Sequence, residues 1–302
     1  MFEPSYKELQ RTGELHERVE AAYRLMTPAC ELCPRCCGID RLAGQVGVCR
    51  TGKNPVVSSY GPHFGEEPPL VGYNGSGTIF FGNCNLLCIF CQNYEISQGG
   101  VGHEVRIEKL AEIMLSLARQ GCHNINLVTP THQVPQILSA LEIAAEMGLD
   151  IPLVYNCGGY EPVKLLAILD GIVDIYMPDA KYGSNEKGRI FSGVPDYWDR
   201  NREALREMHR QVGDLVVDDR GIALHGLIVR HLVLPNNMAE TQNVLHFIAN
   251  EISRDTYINI MDQYRPLAKA IGHPTIGRRI TSEEYREALR IARAEGLWRF
   301  AE

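Results

Sequence analysis

From Gly77 onward, short apolar runs alternate with stretches in which apolar residues recur every three or four positions. The short runs predict six strands: Gly77 to Gly82, Asn124 to Val128, Ile151 to Asn156, Gly171 to Met177, Leu227 to Leu234 and Tyr257 to Met261. The helical period is clearest in Ile107, Leu110, Ala111, Met114, Leu117 and Ala118, and again in Ile137, Leu138, Leu141 and Ala145. Shorter helices are predicted over Pro162 to Leu169 and Thr241 to Ile252. Ser282 to Glu295 closes the chain with a partial capping box, Tyr285 standing third after Ser282 and Glu283 and Glu284 supplying first-turn acids. Strand and helix in alternation is the form of a parallel α/β fold. Six units are too few for a closed eight-stranded barrel, so the expected fold class is α/β, a partial (β/α)6 TIM-like barrel.

Upstream the pattern differs. Leu9, Leu15, Val19, Ala22 and Leu25 give one amphipathic helix from Tyr6 to about Met26, ended by Pro28. Residues 30 to 76 are rich in Cys, Gly and Pro, which is turn chemistry. The expected division is therefore 1–76, an N-terminal helix with a cysteine-rich metal-binding segment, and 77–302, the partial barrel with its C-terminal helix. Between the fourth and fifth strands, residues 183 to 222 form an insertion carrying Phe191, Tyr197 and Trp198, either a lid or partner surface or a plain helical hairpin.

Composition narrows the function. The 302 residues are 45% hydrophobic and 22% charged, enough for a sizeable core. No apolar run approaches the roughly 20 residues of a membrane span, and the polar start has no secretory pattern, so a cytoplasmic location without membrane attachment is expected. A net charge of -7 argues against nonspecific nucleic-acid binding. Ten cysteines in such a chain suggest metal rather than disulfides. They fall into two groups, Cys30, Cys33, Cys36, Cys37 and Cys49, and Cys84, Cys88 and Cys91, with Cys122 and Cys157 apart.

In barrels of this kind chemistry gathers at the C-terminal strand ends. Those ends are Asn83 to Cys91, Thr129 to His132, Asn156 to Gly159, Pro178 to Tyr182, Pro235 to Asn237 and Asp262 to Arg265, all polar, glycine-rich or metal-ligating. Cys84, Cys88 and Cys91 sit directly after the first strand and can converge on one centre. A structural zinc or an ordinary 4Fe-4S cluster takes four protein ligands, so three thiolates leave a position open.

The motif Cys84-x3-Cys88-x2-Cys91, with Phe90 before its last cysteine, resembles the defining motif of the radical SAM superfamily. The resemblance implies a 4Fe-4S cluster whose open iron binds S-adenosyl-L-methionine (SAM), reductively cleaved to methionine and a 5'-deoxyadenosyl radical. Over most of residues 30 to 302 the chain resembles above all the pyruvate formate-lyase activating enzymes and their uncharacterised PflX-type iron-sulfur relatives, in the phrases Cys88 to Ser97 and Asp170 to Tyr182. It implies that Asp179 and Lys181, which keep an Asp-x-Lys pattern, contact SAM or an associated cation, and that Arg230 is another SAM-facing position. Where those enzymes carry a glycine-rich or Asn-Glu-Pro segment, this chain has Thr129-Pro130-Thr131-His132, so backbone carbonyls or the hydroxyls of Thr129 and Thr131 would meet the SAM amine. Asn156 stands within a strand-three pattern that departs from theirs. Structural readings stand beside these: a rim ion pair for Asp179 and Lys181, a carboxylate partner for Arg230, satisfied histidines at His132 and His231, and small buried residues at Cys157 and Cys122.

Cys30, Cys33, Cys36, Cys37 and Cys49 offer the ligands of a closed second centre. The resemblance selects Cys30, Cys33, Cys37 and Cys49 and leaves Cys36 surplus; zinc and an auxiliary iron-sulfur cluster both suit thiolates. The expected function is hydrogen abstraction by a radical SAM oxidoreductase, with a glycine of a glycyl-radical enzyme as favoured substrate. A small molecule, RNA or another peptide side chain is the alternative, and a non-catalytic cluster carrier or redox sensor the reading from another class. A low-potential flavodoxin or ferredoxin is the implied electron donor.

Overall fold

The computed structural model describes residues 2–301. Its strands are β1 (Val56–His63), β2 (Ser76–Phe81), β3 (His103–Glu104), β4 (Ile125–Val128), β5 (Leu153–Cys157), β6 (Ile175–Pro178), β7 (Val216–Val217), β8 (Ala223–Leu232) and β9 (Tyr257–Met261). They form one sheet in the order β3-β1-β2-β4-β5-β6-β8-β7, with β9 also pairing β8. The run β2-β4-β5-β6-β8-β9 is parallel throughout and comprises the six predicted strands in chain order. Among the described residues no pairing joins β9 to β2, so the barrel is partial and open.

Period-two alternation divides the sheet cleanly. Ile79, Phe81, Leu127, Tyr155, Tyr176, Leu227, Val229, Ile258 and Ile260 face the surrounding helices and share their core. The residues between them point the other way: Val154, Ile175, Met177 and Ile228 pack with Leu70 and Leu215 inside the barrel. Leu70 belongs to a short helix, Pro68–Val71, in the connection from β1 to β2. That connection plugs the barrel, and Asn124 Nδ2 holds it by donating to Leu70 O at 2.9 Å.

Three local expectations are revised. The N-terminal helix is two helices, Tyr6–Thr12 and Glu14–Arg24, because Gly13 takes a left-handed φ of 82° and caps the first. The Gly- and Pro-rich stretch contains β1, which pairs antiparallel with β2 through a bulge between Val57 and Ser59. The C-terminal helix has a complete capping box one residue earlier than read, Thr281 with Glu284. The insertion is a pair of helices, Asn185–Ser192 and Tyr197–Val212. No helix among the described residues is long and apolar enough to cross a membrane.

Candidate active site

A cavity of about 720 Å³ opens at the C-terminal strand ends. Its wall includes Cys84, Cys88, Cys91, Thr129, Asn156, Asp179, Lys181 and Arg230, each singled out from the sequence. The alternation that sends Val154 and Ile228 inward also sends Asn156 and Arg230 inward, two residues further up β5 and β8. Asn83 and Thr129 leave β2 and β4 with left-handed φ values of 69° and 61°. Such values are costly outside glycine and recur where a chain must turn sharply at a site.

Each cysteine of the motif has a polar neighbour at sulfur. Leu86 N–H donates to Cys84 Sγ at 3.3 Å, Ser192 Oγ lies 3.0 Å from Cys88 Sγ, and Ser97 Oγ lies 3.2 Å from Cys91 Sγ. Burial pushes the Cys84 and Cys88 thiols up, while Lys181 pulls both down. Among the described residues no three Cys, His, Asp or Glu side chains close on a single ion. The three thiols border the cavity, each with a polar partner at sulfur, and this donor set fits a 4Fe-4S cluster with one iron open.

Across the cavity stands a charged network. Asp179 accepts from Lys181 Nζ at 2.5 Å and from Arg230 Nε at 3.0 Å, and Arg230 Nη2 donates to Asn156 Oδ1 at 2.6 Å. Burial raises the Asp179 carboxyl, but Arg230 and Lys181 outweigh it and hold the group below its usual range. Backbone anchors keep the network in place. Asn201 Nδ2 donates to Gly159 O and Asp179 O, both at 2.9 Å, and Tyr197 O–H donates to Gly158 O at 2.9 Å. The insertion thus braces the ends of β5 and β6.

Other sequence candidates lie elsewhere. Thr131 is buried off the cavity and donates to Glu161 Oε1 at 2.8 Å. His132 is buried, bonded to Gly82 O at 3.0 Å, and lowered by burial to about 3. His231 bonds Ala180 O at 2.7 Å and Thr241 Oγ at 2.9 Å, with both nitrogens satisfied. Cys157 shares the outward parity of Tyr155 and packs in the same core, so it meets the cavity edge without aiming its sulfur there. Cys122 is buried in the core. Cys30, Cys33 and Cys49 are buried, Cys37 is half-buried and Cys36 is exposed. The charges of Cys49, Cys37 and Cys30 all act on Cys33, although no three of these thiols close on a single ion.

Sequence reading missed His63 at the end of β1 and Glu66 in the connection after it, which line the cavity, and Ser97 and Ser192 beside the cysteines. Glu66 and His63 lie in a Gly- and Pro-rich stretch with no periodic signal. Ser97 lay within a phrase already noted but carried no pattern of its own.

Fold and cavity define a partial-barrel enzyme with a three-cysteine centre at its strand ends. The chain belongs to the radical SAM superfamily, whose sequence profile matches residues 78–248. It is a radical SAM enzyme, and the family uses a 4Fe-4S cluster, SAM and an electron donor. Two similar proteins come from Methanocaldococcus jannaschii. Uncharacterized protein MJ0674 is 34% identical over 278 residues, 89% of this chain and 75% of its own, and uncharacterized protein MJ0808 is 25% identical over 252 residues, 75% and 68%. Streptococcus suis SuiB, solved bound to precursor peptide SuiA, shares the fold at TM-score 0.50 and 14% identity. The likeness covers 72% of this chain and 46% of SuiB, so the chain spans less than half of that protein.

Proposed function

We propose that the cavity binds SAM between the cysteine motif and the Asp179 network, and that the enzyme abstracts a hydrogen atom from a substrate held in the same cavity. The observation that carries this is the convergence of Cys84, Cys88 and Cys91 with Asn156, Asp179, Lys181 and Arg230 on one wall. When bound, the cluster supplies the electron that cleaves SAM. The protein's part is placement and exclusion of water. Cys84, Cys88 and Cys91 hold the cluster, with Leu86 N–H, Ser97 and Ser192 meeting sulfur. Asp179 and Lys181 offer partners for the hydroxyls, ammonium and carboxylate of SAM, and Arg230 fixes Asp179 from below. Thr129 stands at the end of β4 to meet the amine.

A glycine of a partner protein is one substrate reading, supported by the likeness of residues 88–97 and 170–182 to the activating enzymes. The charged inner wall favours a second: a small molecule with polar groups of its own, since a bare glycine loop would leave Glu66 with nothing to bind. Cys30, Cys33, Cys37 and Cys49 are proposed as a second metal site. Anaerobic reconstitution followed by reduction with dithionite in the presence of SAM tests the central reading. Formation of 5'-deoxyadenosine, lost together with the SAM-responsive EPR signal in Cys88→Ala, is expected; a signal that survives the substitution refutes the assignment.

A further inference from the structure

The connection between β1 and β2 brings two acidic residues into the barrel interior, and neither is fully partnered. Glu66 lines the cavity with its side chain 9% exposed. Its nearest cation, Arg230 Nη1, is 3.7 Å away, beyond hydrogen-bond reach, and Nε and Nη2 of that guanidinium are already given to Asp179 and Asn156. Among the described residues no donor bonds the Glu66 carboxylate. Beside it, Glu67 Oε1 accepts from Asn259 at 2.9 Å, but Oε2 is buried without a partner. Buried carboxylate oxygens are nearly always bonded, so the orphaned Oε2 of Glu67, with the Glu66 carboxylate beside it open to the cavity and bonded to no donor, points to a missing donor.

The charges give the donor its sign. Glu66, Glu67 and Asp179 all act on Arg230, while Lys181 bonds Asp179, so in this corner Glu66 and Glu67 share with Asp179 a single guanidinium, which favours a cation as the missing donor. His63 lines the same part of the wall, stacked edge-on to Phe80 with ring centroids 5.7 Å apart. A divalent metal is a poor candidate, because it requires several converging oxygens and the Arg230 guanidinium stands beside the one available carboxylate.

Position separates this corner from the cysteines. His63 pairs with Ser76 at the start of β2, whereas the cysteine motif follows Phe81 at its end. The two backbone anchors are thus about 16 Å apart at the rise of a strand. Glu66 and His63 also precede residue 78, where the match to the superfamily begins. They lie outside the stretch that the superfamily profile matches.

We infer that Glu66 and His63 form the substrate end of the cavity and hold the ammonium group of an amine-bearing small molecule. Glu66 accepts from the ammonium, Phe80 and His63 pack against the adjoining carbon chain, and the rest of the molecule extends toward the cysteine end. The inference deepens the proposed function and rests on its placing of SAM at that end.

The test is calorimetric binding of n-butylammonium, n-butanol and butyrate to the reconstituted full chain in the presence of SAM, with SAM affinity measured separately. Butylammonium is expected to bind at least tenfold more tightly than the other two. Glu66→Gln should abolish that preference and keep SAM affinity within twofold, while Glu66→Asp retains part of it. Equal binding of the three probes to the parent protein overturns the inference without any variant. A preference that survives Glu66→Gln also overturns it, as does a tenfold loss of SAM affinity in that variant, which would assign the carboxylate to SAM. If the parent fails to bind SAM yet shows a Glu66-dependent ammonium preference in its absence, the SAM placement falls and the ammonium site stands.

Discussion

Asp179 is shared by two cations, so its removal disturbs more than one contact. With the carboxylate gone, Lys181 and Arg230 face each other across a buried space, and one hydrogen bond to a charged group is typically worth about 1.5 to 3 kcal/mol. Asp179→Asn should lower SAM affinity roughly ten- to a hundredfold while the cluster still assembles. Equilibrium binding to the reconstituted variant measures this, and an affinity within twofold of the parent would reduce the network to a rim ion pair. Glu161 gives a prediction of a different kind. Burial pushes its carboxyl up to about 8, with Thr131, Tyr155 and Cys157 pulling the other way. A carboxyl raised above its ordinary value of 4.5 binds its proton more tightly in the folded state. Its contribution is complete below pH 4.5 and declines as pH rises toward 8. Glu161→Gln carries no such proton, so the parent should lose stability relative to the variant across that window, by on the order of 1 kcal/mol per pH unit. Urea unfolding of both proteins at several pH values would expose a constant difference if the carboxyl were ionised throughout. The cysteines and the Asp-x-Lys pair were legible because their spacing is local. Glu66 and Glu161 were not, because their roles depend on where a loop and a strand end lie in space.

At the scale of elements, all six parallel strands could be read because the alternation of apolar residues sets one face against helices and the other toward the interior. The exceptions have local causes: Gly13 breaks a continuous apolar stripe, and β1 is disguised by Pro55, Gly61 and Pro62. Two glycines separate backbone freedom from close packing. At Gly13 an added Cβ meets nothing within 4 Å, so Gly13→Ala should cost only the left-handed φ, about 1 kcal/mol. At Gly159, also left-handed, a Cβ would stand 2.0 Å from Asp179 O and 2.3 Å from Asn201 Nδ2. There the strands β5 and β6 end side by side, and nothing can give way without moving Asp179. Gly159→Ala should therefore cost about 3 kcal/mol or more and also weaken SAM binding. Thermal unfolding of the two variants, paired with SAM titration, checks both. Equal losses for Gly13→Ala and Gly159→Ala would show that close packing at the strand ends is unimportant.

Across the whole molecule, the cysteine-rich segment is tied to the barrel by buried polar contacts. Arg41 is fully buried; it donates to His132 O at 2.7 Å, just past β4, and to Gly52 O at 2.9 Å. Tyr6, Leu15, Val19, Ala22 and Met26 join the same core as the barrel helices. The apolar face of Leu15, Val19 and Ala22 was legible as a helix, but the Arg41 contacts were not, because they lie in a stretch that reads as turns and whose order depends on the barrel it packs against. The segment still has few apolar residues of its own between Cys30 and Pro55, so bound metal is expected to contribute to its order. Cys33 is central to that expectation, being buried and within the influence of Cys30, Cys37 and Cys49. Cys33→Ala should lower the metal content per chain and open residues 30–55 to protease, while the SAM-responsive cluster signal from Cys84, Cys88 and Cys91 persists. Metal analysis, limited proteolysis and EPR on one preparation separate the parts. Unchanged metal with unchanged protease resistance would leave Arg41 and the helix packing as the sole supports of this segment. Loss of the cluster signal as well would mean that the two cysteine groups do not assemble independently.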